Sequence, residues 1–337
     1  MVSTKTKAVL IIFGIVLVSG IGIGAIIILD KDDTNVRIGY LDGDLHQLAF
    51  YVAQEYGFYE EEGKNVTKVS FPNGGAVMTA FESMTRPIDM AYFGFAPALF
   101  HRFTVEAANI TVLAGVNVNG SALIVRNDPS IQTGADLEGL KIAVPSRHNM
   151  QDFILSMILN NSGLSYENIT ISEMNSPSDM IIALEEGSID GYVSWEPHCI
   201  KGTADAVGKY LYKSSDVWAD HPCCIVASHN EFLESNTSTV NKILKVHKRA
   251  TEWILENWED AKTLAMEKMF LTEDQAAIAM ANIGYVYNMD LAQMELFVEK
   301  LVKLNDLIGF DSPNIPEGLN SSTFIDWFVD PSYIQAL

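Results

Sequence analysis

Ser146, Arg147, His148, Asn149 and Gln151 form the densest polar cluster in this chain, directly ahead of an apolar helical pattern. An arginine can grip an oxyanion through two parallel N–H donors. A histidine can donate as a neutral ring or carry charge below its pKa. A second place with such chemistry is the loop holding His46 and Gln47, and a third is Asn73 with Gly74, where glycine allows close backbone approach. Gly94 and Phe95 close a short strand, and Asn119 stands at a crossover. Trp195 and Glu196 end another strand in Ser-Trp-Glu-Pro, and His221 lies in Asp-His-Pro-Cys-Cys. An indole can wall a ligand, and a carboxylate can accept from an amine or hold a hinge through backbone N–H groups. Arg147 and Glu196 together could meet the two charges of a zwitterion. Asp42 and Asp44 would repel an anion and are expected to cap a helix or shape its entry.

No metal ligand set is expected. His46, His148 and His221 could meet at a metal, but no close His/Asp/Glu spacing supports one. Cys199, Cys223 and Cys224 are odd in number, so they cannot complete a disulfide framework. Their spacing matches no zinc pattern, and burial as small hydrophobes is the expectation. No cofactor is expected.

The elements that must position these residues alternate. Strands are predicted at Asn35–Tyr40, Val66–Phe71, Ile88–Tyr92 and Ile110–Val116, with helices at Leu45–Tyr56, Ala76–Ser83 and Ala96–Phe103 between them. The pattern restarts with strands at Lys141–Val144, Ile169–Glu173 and Ile189–Trp195 and helices at Met150–Asn160 and Ser178–Glu186. Cys223–Ala227 reads as a returning strand. Such alternation implies parallel sheet with helices on its faces. From Ser238 onward the pattern is helical, at Thr239–Asn257, Trp258–Met269, Thr272–Ile283 and Leu291–Leu304, as amphipathic helices packing on the first lobe. Thr272 and Gln275 form a capping box. Helix N-termini at Asp42–Gln47, Asn73–Ala76 and Ser146–Gln151 would offer N–H groups to an anion.

At 337 residues the chain exceeds one small core. Its formal charge of -21 argues against nucleic acid as a partner. Residues 8–29 form an apolar run long enough to cross a bilayer. Lysines before it and aspartates after it suit an uncleaved anchor, with 1–7 cytoplasmic and the rest outside the cell. Asn65, Asn109, Asn119, Asn160, Asn168, Asn236 and Asn320 begin Asn-x-Ser/Thr motifs, compatible with a glycoprotein.

Read in order, GYLDGDLHQLAFYVAQEYGFYEEEG at Gly39, IDMAYFGFAPAL at Ile88, AGVNVNGSALIV at Ala114, LKIAVPSRHNMQDF at Leu140, IDGYVSWEP at Ile189 and DHPCC at Asp220 resemble one family. It is the nitrate/sulfonate/taurine/bicarbonate (NMT1-like) family of ABC-importer solute-binding proteins. The resemblance spans roughly 36–327 and implies an α/β type II periplasmic-binding fold. On that reading 36–121 and 222–337 form lobe I, and 122–221 form lobe II, with a ligand cleft between them. It also implies delivery to a separate permease and ATPase, and no enzymatic activity. The chain has no phosphate-binding Gly-x-x-x-x-Gly-Lys loop, which excludes it as the ATPase itself. The Arg147–His148 pair departs from the small, Gly/Ser/Thr-rich loop usual at that place. The alternative within the fold is capture of a thiamine-type pyrimidine stacked on Tyr92, Phe95 and Trp195, or a pyrimidine-synthase-like enzyme.

Overall fold

The computed structural model describes residues 32–104, 109–308 and 320–337. The tail and the apolar run expected to cross a membrane lie outside the described residues. Among the described residues, no helix is long and apolar enough to cross a membrane.

The strands are β1 (Asn35–Leu41), β2 (Asn65–Phe71), β3 (Met90–Gly94), β4 (Ile110–Asn119), β5 (Ser121–Arg126), β6 (Lys141–Val144), β7 (Thr170–Glu173), β8 (Gly191–Trp195), β9 (Gly208–Lys213), β10 (Pro222–His229) and β11 (Ile283–Tyr285). They form two sheets, ordered β11-β4-β10-β3-β1-β2 and β7-β6-β8-β5-β9. In the first, β1 runs parallel to β2 and β3, and β10 runs antiparallel to β3 and β4. In the second, β6 is parallel to β7 and β8, and β5 is antiparallel to β8 and β9. β10 is buried along its whole length because strands flank both its edges, whereas β2, at an edge, has its side chains exposed or half-buried.

Strand direction gathers the loops. β1, β3, β6 and β8 all end where helices or turns begin, which is where open α/β sheets collect ligands. β1 leads into a single turn at Leu45–Gln47 and the helix Leu48–Glu55, and β3 into Phe95–Thr104. β2 precedes the helix Gly74–Glu82, and β6 precedes Met150–Asn161. Asn73 caps its helix by accepting from Ala76 N–H at 3.0 Å, and Asn149 caps its own by accepting from Asp152 N–H at 2.9 Å.

The chain passes between the sheets twice, from β4 to β5 across Gly120 and from β9 back to β10. The two crossovers lie side by side, since Asn119 N–H donates to the His221 carbonyl at 3.2 Å. Gly120 has φ +88°, and a Cβ there would meet His46 Nε2 at 2.3 Å. Only glycine fits.

Three strands escape the sequence pattern. β5 starts one residue after β4, so both read as one apolar run broken by Gly120. β9 (GKYLYK) is largely half-buried and carries no clean alternation. The helix predicted to reach Ile283 ends at Ala281, because Ile283–Tyr285 pairs with Asn119–Asn117 of β4 and extends the sheet instead. The C-terminal helices also reach further than the first sheet. Leu291–Ile308 packs on Met150–Asn161, with the Phe297 ring 4.3 Å from that of Phe153 and 5.7 Å from that of Phe95.

Candidate ligand-binding site

Loops from both sheets enclose a small cavity of about 30 Å³, room for a water or two. The first sheet's strand ends and the turns and helix starts that follow them supply Leu41, Asp44, His46, Asn73, Gly74, Gly94 and Pro97, and β10 supplies Cys223 and Cys224. Asn149, Met150, Gln151 and Trp195 come from the second sheet's side. Gln151 is oriented by a bond from Nε2 to Ser121 Oγ at 3.0 Å. The buried Trp195 Nε1–H finds no acceptor among the described residues. No lysine or arginine lines the cavity among the described residues.

Its floor is a compact group of polar and sulfur atoms. His46 donates from Nε2 to the Gly120 carbonyl at 2.9 Å. Its Nδ1 faces Cys223 Sγ at 3.6 Å and Cys224 Sγ at 3.7 Å, and the sulfurs are 4.0 Å apart. Asp44 Oδ1 lies 3.7 Å from the same Nδ1 and accepts from His46 N–H. Burial pushes the Asp44 carboxyl up to about 6, against the pull of His46. Burial would lower the His46 imidazole, but the Cys223 thiolate and Asp44 outweigh it and raise it to about 9. The Cys224 thiol, hydrogen-bonded to Cys223, holds the latter well below the usual thiol range, with help from His46.

Sequence reasoning placed all three cysteines in the core, and they are buried and free. It missed the convergence of two of them with His46. Adjacent strand residues normally face opposite sides. Here β10 is bulged, its register with β4 shifting on both sides of Cys224, and a bulge re-aims side chains. The expectation of no metal ligand set is corrected to this extent: one His and two Cys side chains offer ligand atoms within 4.8 Å of one another.

Of the residues expected to bind the solute, His46, Asn73, Gly74, Gly94, Asn149, Gln151 and Trp195 line the cavity. The others do not. Gln47 is used up within its loop, accepting from Leu41 N–H at 3.0 Å and donating to Asp44 at 3.2 Å. Phe95 packs in the core on Phe297 and Phe328, and Tyr92 on Phe50 and His247. The stack foreseen for a pyrimidine therefore loses two of its three rings. Asn119 binds Asp220 Oδ1 at 3.4 Å at the crossover, where His221 is also buried. Ser146 is half-buried outside the lining. Arg147 reaches Asp152 at 3.0 Å and lies 4.4 Å over the Tyr166 ring, while His148 N–H donates to the same Asp152. Glu196 is fully buried, accepting from Ile200 N–H at 3.1 Å, Tyr210 OH at 2.8 Å and Asn282 Nδ2 at 2.8 Å. Of these, the bond from Ile200 is the kind of backbone contact expected for a structural Glu196, and the other two come from side chains. The sequon asparagine Asn236 is buried, which removes that position as a glycan acceptor in the folded chain.

A sequence profile described as the NMT1-like family matches residues 30–267. A Bacillus subtilis protein named for binding aliphatic sulfonates is 27% identical over 271 residues, covering 77% of each chain. Among solved structures, the nitrate-binding protein NrtA of Synechocystis superposes with a TM-score of 0.77 at 15% identity, covering 91% of this chain and 89% of that one. A zinc-bound ligand-binding component of an ABC-type import system from Staphylococcus aureus gives 0.74 at 19%, covering 90% and 98%. These two share the fold: two α/β sheets in the periplasmic-binding-protein arrangement.

Proposed function

The chain belongs to the NMT1-like family, and from that premise we propose that it is the solute-binding component of an ABC importer. It captures a small oxyanion or zwitterion of the sulfonate/taurine, nitrate or bicarbonate class, and it passes the solute to a separate permease and ATPase. It binds and does not catalyse. The observation that carries this reading is the cavity itself, to which both sheets contribute polar groups. His46 and Asn73 enter from one side, and Asn149, Gln151 and Trp195 from the other. The unmatched Trp195 Nε1–H supplies a donor that a solute oxygen would satisfy.

In this proposal residues 36–121 and 222–337 act as one lobe and 122–221 as the other. They close about the paired crossovers at Gly120 and His221, a hinge motion of a familiar kind. The apolar run at 8–29 tethers the lobes to the membrane, with the cavity on the extracytoplasmic side. At about 30 Å³ the cavity is smaller than taurine, so uptake of such a solute requires the lobes to separate first.

Thermal unfolding of the full chain in detergent, against nitrate, bicarbonate, taurine, an alkylsulfonate and a pyrimidine, tests the reading. A solute that binds only the folded protein raises its unfolding temperature by mass action. A rise with one oxyanion or zwitterion, abolished in Trp195→Ala, is expected. A rise with the pyrimidine alone replaces the substrate class, and no rise with any compound defeats the proposal.

A further inference from the structure

A site built to hold an anion by charge would carry a lysine or arginine, and the described lining of this cavity has none. It has a carboxylate, an imidazole and two sulfurs. We propose that His46 Nδ1, Cys223 Sγ and Cys224 Sγ hold a thiophilic metal ion such as zinc(II), with its fourth position opening into the cavity.

Four observations agree. Zinc–sulfur bonds of about 2.3 Å and zinc–nitrogen bonds of about 2.0–2.1 Å, in tetrahedral array, place two sulfurs about 3.8 Å apart and each about 3.6 Å from the nitrogen. The corresponding separations here are 4.0, 3.6 and 3.7 Å. Second, His46 gives its Nε2–H to a backbone carbonyl, the arrangement that directs the other ring nitrogen at a metal. Third, the bulge in β10 brings adjacent cysteines to one point, which a regular strand would not do. Fourth, three protein ligands leave one coordination position, and all three residues line the cavity.

The charge and proton balance is simple. The three ligand atoms together carry two protons before the ion arrives, and both leave as two thiolates and a neutral imidazole bind zinc(II). No electron moves. Two thiolates neutralise the ion formally, yet it remains a Lewis acid toward a fourth ligand. An oxyanion or amine entering the cavity can complete the shell. That last step rests on the solute-binding reading, whereas the metal site itself does not.

The test uses the reduced full chain in detergent, titrated with zinc(II) against a chromophoric chelator and separately with cobalt(II). The expected result is one zinc(II) per chain. Cobalt should give the intense visible bands of a tetrahedral site and a near-ultraviolet thiolate charge-transfer band. The double variant Cys223→Ser/Cys224→Ser should lose at least about 100-fold in affinity, and Cys199→Ser should lose nothing. The wild-type cobalt spectrum decides the matter even where the double variant does not fold. Weak octahedral bands without charge transfer, or a folded double variant that binds zinc as the wild type does, would overturn the site. Nitrate or taurine is then added to the cobalt-loaded protein. A shift of the visible bands supports coordination of the solute to the ion. Unmoved bands refute that step and leave the metal assignment standing.

Discussion

His46 Nε2 donates to the Gly120 carbonyl across 2.9 Å, joining the first strand-to-helix loop to the point where the chain enters the second sheet. A Cβ on residue 120 would overlap the imidazole and would sit on a backbone at φ +88°. Gly120→Ala should therefore cost about 1–3 kcal/mol from the backbone conformation, with a further loss from the displaced ring. Urea unfolding would measure it. A variant as stable as wild type would show that the loop and crossover are not held together as described.

Glu196 is the second tie across the fold. Burial pushes its carboxyl up, while Asn282, Tyr210 and the Ile200 N–H pull it back. Its backbone carbonyl also accepts from Leu45 N–H at 3.2 Å, on the other sheet's side. Glu196→Ala leaves the buried Ile200 N–H and the half-buried Tyr210 OH and Asn282 amide without their acceptor and should destabilise the chain by about 2–4 kcal/mol. Glu196→Gln keeps the shape but turns one donor against another, and should cost about 1–2 kcal/mol. If the alanine variant unfolds at the wild-type urea concentration, Glu196 does not tie the two sides together.

His247 gives the chain an acid-sensitive core. Burial lowers its imidazole to about 4, although Nε2 donates to the Gly115 carbonyl at 2.7 Å. Above pH 6.5 the ring is neutral in both folded and unfolded chains, and its contribution is whole. As pH falls from 6.5 toward 4, only the unfolded chain takes the proton, so stability drains away by about 3 kcal/mol. His247→Gln keeps a donor for Gly115 and removes the titration. Unfolding free energies of the two proteins from urea titrations should converge by that amount between pH 7 and pH 4, and parallel profiles would contradict the assignment.

Much of this fold was legible because burial leaves a local trace. β10 and β8 are buried at every position and read as strands from their largely apolar stretches Cys223–Ala227 and Gly191–Trp195, and Thr272 with Gln275 announces a helix start that the structure forms reciprocally. The site was legible where a polar residue sits at a helix entry, as with His46, Asn73 and Asn149. It was hidden where partners are remote: Cys223 stands 177 positions from His46, and neither spacing nor composition signals a bulge. Arg147 misled for the opposite reason. Its charge was visible, but so was Asp152, placed in the first turn of the following helix to claim it.

That last relationship separates two views of how a solute is held. Arg147 is tied to Asp152 and stacked on Tyr166 outside the cavity, whereas Gln151 lines it and is braced by Ser121. Arg147→Ala should leave the affinity for the bound solute within about threefold and cost about 1–2 kcal/mol of stability, since Asp152 keeps its bonds from His148 and Tyr166. Gln151→Ala should weaken binding by about tenfold or more, the loss of one buried hydrogen bond to a polar ligand. Isothermal titration of both variants with the solute that stabilises the wild type gives the comparison. Loss of binding in the arginine variant alone would mean that Arg147 leaves Asp152 to meet the solute, and that charge rather than the cavity's neutral donors holds it.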